Sequence, residues 1–133
     1  KLLIGGSICK VIKDLEDVPG VQLLGFVDNP ADFYAKADVA INPVYQGTGL
    51  KIKTFEAISY DKVTLVHPHS MAGVFQKETA PLFALKKPYQ WVECLENIWE
   101  SKEQILKIKK RNQMYLDSMN KFIVSEYKRF LEK

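Results

Sequence analysis

The chain has 133 residues, 47% of them hydrophobic and 26% charged, with a formal net charge of +3. That length fits one domain with a real core, and the composition is that of an ordinary globular protein, not a disordered or fibrous one. No apolar run approaches membrane-spanning length and no signal-peptide pattern opens the chain, while Lys1 already heads an apolar run, which reads as a fragment of a longer protein.

Leu2-Leu3-Ile4 followed by Gly5-Gly6-Ser7 predicts a short buried strand with a glycine turn behind it. Ile8, Val11, Ile12 and Leu15 then recur at helical spacing, giving a strand-turn-helix unit. Gly5-Gly6 could let a phosphate approach the helix start, but it lacks the full Gly-x-Gly-x-x-Gly pattern, and a plain tight turn explains it as well. Val21 to Val27 predicts the next strand. Asp28-Asn29-Pro30 marks a helix start with Asn29 as cap and Pro30 at the first helical position, for a short helix of about 30 to 37 burying Phe33, Tyr34 and Ala37. Val39-Ala40-Ile41 is strand again, closed by Asn42-Pro43.

The stretch Gly47 to Tyr60 reads as a glycine turn opening a buried helix. Gly47 and Gly49 permit a sharp turn, Thr48 can cap a helix that Leu50 begins, and free backbone N–H groups remain at its start. At helical spacing Leu50, Ile52, Phe55, Ala57, Ile58 and Tyr60 take up most of the circumference, so the helix should be largely enclosed. Lys53 and Glu56, three apart, share one narrow side. They can form an internal ion pair. The internal pair is the reading that spacing alone favours; the alternative is a ligand site, with the N–H groups, the positive dipole end and Lys51 or Lys53 offered to phosphate and Glu56 accepting hydrogen bonds from a sugar diol.

Val63 to Val66 is the next strand, and strands alternating with helices imply right-handed crossovers and a parallel sheet. Ligands of such a sheet bind beyond the carboxyl ends of its strands, so Gly5-Gly6, Tyr45 to Gly49 and His67 to Gly73 should line one edge. Two histidines, His67 and His69, lack accompanying carboxylates or thiols at metal spacing, and no metal site is expected. Pro81 to Leu85 is a last edge strand. Trp91, Val92, Cys94, Leu95, Ile98 and Trp99 mark an amphipathic helix, a second begins near Lys102, and Phe122 to Leu131 continues helical.

Cys9 and Cys94 stand far apart among apolar neighbours and read as buried reduced thiols, which fits a cytosolic chain. Residues 101 to 133 carry a net charge of +5, leaving −2 on the first hundred. Such a basic tail could touch an anionic membrane surface or nucleic acid, but its charges are unclustered and a solvated helix face accounts for them.

Tyr34 and Ala37-Asp38 at a helix end, the strand behind them, the Gly47-x-Gly49 turn, the helix carrying Glu56-Ala57 and the strand after it stand in an order that resembles a known family. It is the nucleotide-sugar-binding domain of retaining GT-B glycosyltransferases, and more narrowly glycosyltransferase family 4 (glycosyl transferases group 1). The likeness runs from about Leu2 to Gly73. Thr48 stands where members with a Glu-x7-Glu signature carry an acid, and Lys51 and Lys53 match the variant with basic residues after Gly-x-Gly. Asp61 and Val63 replace a usual Gly and Pro, and His69, Ser70 and Met71 replace usual glycines.

The resemblance implies an α/β fold, a Rossmann-like parallel sheet with helices on both faces that forms the C-terminal half of a GT-B protein, with a helical segment over 91–133. It implies a donor-binding domain for a nucleoside-diphosphate sugar, acting with retention and without cofactor or divalent metal. Lys51 and Lys53 would be catalytic, neutralising the leaving diphosphate. Glu56, Gly47, Thr48, Gly49, Leu50, Gly5, Gly6, His69 and Gly73 would bind donor, and Val27, Asn42 and Pro43 would neighbour the base. The implied partner is an acceptor-binding N-terminal domain of the same parent chain, to which the terminal helices cross back. An Arg/Lys-bearing strand is also implied ahead of Leu2, so the isolated piece should bind donor weakly if at all and should not turn over. No nucleic-acid partner is expected, and the location is cytoplasmic, with contact to the inner membrane face as an extension. Alternative readings are a non-catalytic nucleotide-binding or scaffolding domain and a nucleotide-sugar epimerase of GT-B architecture.

Overall fold

A computed structural model describes residues 1–132. They form two compact units that divide after Asp38.

The first unit pairs β1 (Leu2–Gly5) with β2 (Val21–Gly25) in parallel, with a register shift between Ile4 and Gly5. Two short 3-10 segments, Ser7–Lys10 and Lys13–Leu15, stand where the apolar spacing predicts an α-helix. The correction has a packing cause: Ile8 and Val11 are exposed, and only Cys9 of this stretch is buried, its thiol donating to the Ile4 carbonyl at 3.2 Å. Without an apolar face to bury, so short a helix has little to hold it. Helix α1 (Pro30–Ala35) starts as predicted, with the Asn29 side chain accepting from the Ala31 N–H at 3.0 Å and Pro30 in the first turn. Tyr34 is its buried residue. Gly5 is packed tightly: a Cβ there would stand 2.9 Å from Val27 and 3.0 Å from Phe33.

The second unit holds a three-stranded parallel sheet of order β3 (Val39–Asn42), β4 (Val63–Val66), β5 (Leu82–Ala84). Parallel pairing is as expected, and it is distributed over two sheets, one in each unit. Every residue of β4 is buried, which explains a strand that is apolar at three of four positions without alternation. Helix α2 (Ile52–Ser59) crosses from β3 to β4, α3 (Pro88–Trp99) comes after β5, and α4 (Lys102–Leu131) is one continuous 30-residue helix.

Two apolar clusters cover the two faces of this sheet. Val63 and Leu65 point to one face, with Phe83 beside Leu65, and meet Trp91, Leu95 and Ile98 of α3 and Ile105 and Ile108 of α4. On the opposite face Leu82 lies beside Thr64 and packs with Phe55 and Ile58 of α2 and Tyr115 and Leu116 of α4. Helix α4 thus serves both clusters, and between its two contact stretches Asn112, fully buried, donates from Nδ2 to the Lys62 carbonyl at 3.0 Å. The Asn112 Oδ1 has no hydrogen-bond partner among the described residues.

Helix α2 is not enclosed as expected. Thr54, Ala57 and Ile58 form a narrow buried stripe, while Leu50 is 49% and Ile52 72% exposed. Its far end fits the reading of Asp61, which takes the left-handed conformation (φ 62°) that a helix stop requires. Cys94 is only half-buried, against the expectation of burial, and Cys9 is buried; both thiols are free. Burial, reinforced by the Glu93 carboxylate, pushes the Cys94 thiol above its ordinary range.

Truncating Leu65 to alanine is expected to cost about 2–5 kcal/mol, read by urea denaturation with tryptophan fluorescence, whereas Ile52→Ala should stay within about 0.5 kcal/mol. Alkylation of Cys94 at about pH 8, just under the ordinary thiol range, should run slower in the native chain than in urea and accelerate on moving further into alkali. Equal native and unfolded rates would contradict the burial.

Candidate functional site

In the second unit the loops after β3 and β4 leave the carboxyl ends of neighbouring parallel strands, the edge at which open α/β sheets receive ligands. The ladder itself brings them together, since Asn42 pairs with Val66 and the His67 N–H then donates to the Asn42 carbonyl at 3.0 Å. Asn42 spends its side chain on both sides of the loop, donating to Thr54 Oγ1 of α2 at 2.9 Å and accepting from the Val44 N–H at 3.3 Å.

Positions 43 to 50 are exposed throughout, and Gly47 and Gly49 both turn with positive φ, 87° and 77°. The next helix starts at Ile52, two residues later than the sequence predicts, with Lys51 at its N-cap and no side-chain capping bond. Thr48 stands three positions ahead of that cap and does not serve it. The amino end of α2 therefore keeps N–H groups that its own side chains leave unsatisfied. The Lys51 amine folds back over the glycine turn, its Nζ 3.4 Å from the Thr48 carbonyl and 3.6 Å from where a Cβ on Gly47 would stand.

Lys53 and Glu56 form the internal pair, Nζ reaching Oε2 at 2.7 Å and Oε1 at 3.0 Å. Its two ends differ in setting: the Lys53 side chain is 73% exposed and that of Glu56 20%. The carboxylate is half-buried, not sealed, and the amine over it is exposed. Such a pair on a helix surface is worth only about 0.2–0.5 kcal/mol.

The loop after β4 is a 3-10 turn, Pro68–Met71, opened by His67, whose Nδ1 accepts the His69 N–H at 3.1 Å. His69 Nε2 lies 2.7 Å from the Gly47 carbonyl, and buried Ser70 donates from Oγ to the Val44 carbonyl at 2.9 Å. Tyr45 and His67 meet edge to face at 6.2 Å between ring centroids. A Cβ on Gly73 would stand 3.4 Å from Leu50 Cδ1.

Of the residues singled out from sequence, Gly47, Thr48, Gly49, Leu50, Lys51, His69 and Gly73 thus form one patch of the second unit, and Lys53 and Glu56 follow on the first two turns of α2. Gly5 and Gly6 come at the end of β1 and just after it in the first unit, where Gly5 has a packing reason to lack a side chain. Sequence reasoning does not single out Ser70 or Thr54 as anchors. Their signal is slight: each is a lone hydroxyl in an otherwise apolar or turn-like context, which demands a partner once buried. A cavity of about 420 Å³, lined among others by Phe83, Leu85, Cys94 and Gln104, contains none of the predicted site residues. Among the described residues no group of three His, Cys, Asp or Glu could hold a metal ion, and no helix is long and apolar enough to cross a membrane.

No curated protein and no solved structure matches the chain. The family model described as glycosyl transferases group 1 matches residues 1–101, from β1 to just past the end of α3, and so takes in both sheets and both loops of the patch. The chain belongs to the glycosyl transferases group 1 family.

Proposed function

We propose that the patch at the carboxyl ends of β3 and β4 binds the diphosphate and ribose of a nucleoside-diphosphate sugar, for a transferase that retains anomeric configuration. The observation that carries this is the uncapped start of α2, with Lys51 and Lys53 on its first turn and half-buried Glu56 one turn on.

Breaking the sugar–diphosphate bond builds negative charge on the leaving diphosphate. Fixed N–H donors and cations at that point stabilise the transition state more than the ground state. Helix N–H groups suit an anion, and the Lys51 amine already hangs over the turn. The weak Lys53–Glu56 pair serves as a resting contact: phosphate draws the exposed Lys53 amine away, and the freed Glu56 carboxylate accepts hydrogen bonds from the ribose hydroxyls. The reading includes neither cofactor nor divalent metal. It also includes an acceptor-binding domain of the same parent chain and a cytoplasmic location.

A second reading, a nucleotide-binding or scaffolding domain without catalysis, is favoured by two features. Glu56 is already paired within its own helix, and the acid of the Glu-x7-Glu pattern is replaced by Thr48.

Titration of the chain with uridine, guanosine and adenosine diphosphates, monitored by amide chemical shifts, is expected to perturb residues 47 to 56 and 67 to 73. Silence with all three nucleotides that persists in the parent chain, with the implied Arg/Lys-bearing strand ahead of Leu2 restored, would sink the donor reading. Lys53→Ala and Glu56→Gln should each weaken binding by about tenfold or more, as for a lost charge-assisted hydrogen bond, while changing urea stability by no more than about 0.5 kcal/mol. Equal affinity in both variants and wild type would place the ligand elsewhere.

A further inference from the structure

The loop that carries the glycine turn has almost nothing of its own to hold it. Among the described residues no backbone–backbone hydrogen bond involves positions 43 to 50, and all of them are exposed. What fixes the loop is side chains. Besides Asn42 at its base and Lys51 at its end, two contacts come from consecutive residues of the turn after β4, His69 onto the Gly47 carbonyl and Ser70 onto the Val44 carbonyl.

That turn is a firm place to pull from. Pro68 opens it, the Ser70 N–H donates to the His67 carbonyl at 2.8 Å, the His67 N–H is tied to Asn42, and Ser70 is fully buried. The bonds also fix the protons. A carbonyl only accepts, so His69 carries a proton on Nε2; His67 Nδ1 accepts an N–H, so its proton sits on Nε2. With the carbonyls of Val44 and Gly47 engaged, the N–H groups of Gly47, Thr48 and Gly49 donate to nothing among the described residues.

We propose that His69 and Ser70 are positioning residues: they clamp the glycine turn from the neighbouring strand so that its N–H groups and Lys51 are arranged for a diphosphate before it arrives. The role rests on the donor-binding reading above. Preorganisation of this kind raises affinity by removing an ordering cost that the ligand would otherwise meet.

The test uses two replacements of one side chain. His69→Phe keeps a ring and removes the donor; His69→Gln keeps an N–H near the position of Nε2. Backbone order parameters at 47 to 50 are measured without ligand, and affinity for the three nucleoside diphosphates is measured beside them. The expected result is that His69→Phe drops the order parameters below about 0.6 and weakens binding about tenfold, and that His69→Gln restores both. Ser70→Ala should shift both readouts in the same direction. Unchanged order in His69→Phe, or a His69→Gln variant as weak as His69→Phe, overturns the clamp. A loop that responds in order while the parent chain, with the implied strand ahead of Leu2 restored, binds no nucleotide overturns the donor reading, and this role with it.

Discussion

The second unit depends on the complete burial of one strand. All four residues of β4 are closed off from water, Val63 and Leu65 by α3 and the first part of α4, Thr64 and Val66 on the side of α2. A parallel strand in that position must be covered on both faces, and this requirement dictates helices on either side, joined by crossovers that leave loops at the strand ends. The candidate site is a consequence of that arrangement. Asn42 and Val66 are held opposite each other by the ladder, so the loops that leave these two residues must meet.

The patch differs from the sheet that supports it in what stabilises it. Below the strand ends the contacts are apolar and buried. Above them the loop 43 to 50 is exposed and is shaped by individual hydrogen bonds from Asn42, His69, Ser70 and Lys51. A rigid base with a polar, sparsely tied upper layer is the usual division between scaffold and ligand-contacting loop. The Lys53–Glu56 pair has the same character, since so exposed an amine contributes little to stability.

Much of the fold can be read from the residues. Val63 to Val66, bounded by Asp61-Lys62 and His67-Pro68, announces itself as a buried strand, and Asn29-Pro30 announces a capped helix start. The α-helix expected at Ile8 to Leu15 does not form because periodicity records spacing alone, and no surface in its unit covers Ile8 or Val11. Helix α2 begins late for a related reason. Leu50 and Ile52 look like core residues by type, yet the buried stripe is Thr54, Ala57 and Ile58, a polar residue among them whose burial depends on Asn42, twelve positions earlier. Residues of the patch are recognisable by type, as glycines, lysines and a carboxylate. Their tying together by His69 and Ser70 is not, because a side chain reaching 22 or 26 residues along the chain leaves no local trace.

The strand order bears on how the chain is made. The middle strand of the second unit is flanked by one strand that precedes it and one that comes later, and its Val63 and Leu65 face is covered by helices that begin only at Pro88 and Lys102. During synthesis that face of the most apolar segment of the unit therefore leaves the ribosome well before the helices that shield it, and must wait until Ile98 and Ile108 have been added. Assembly of this core is a late, cooperative event, set by contacts distant along the chain, and the interval before it is when the nascent protein is most exposed to wrong association.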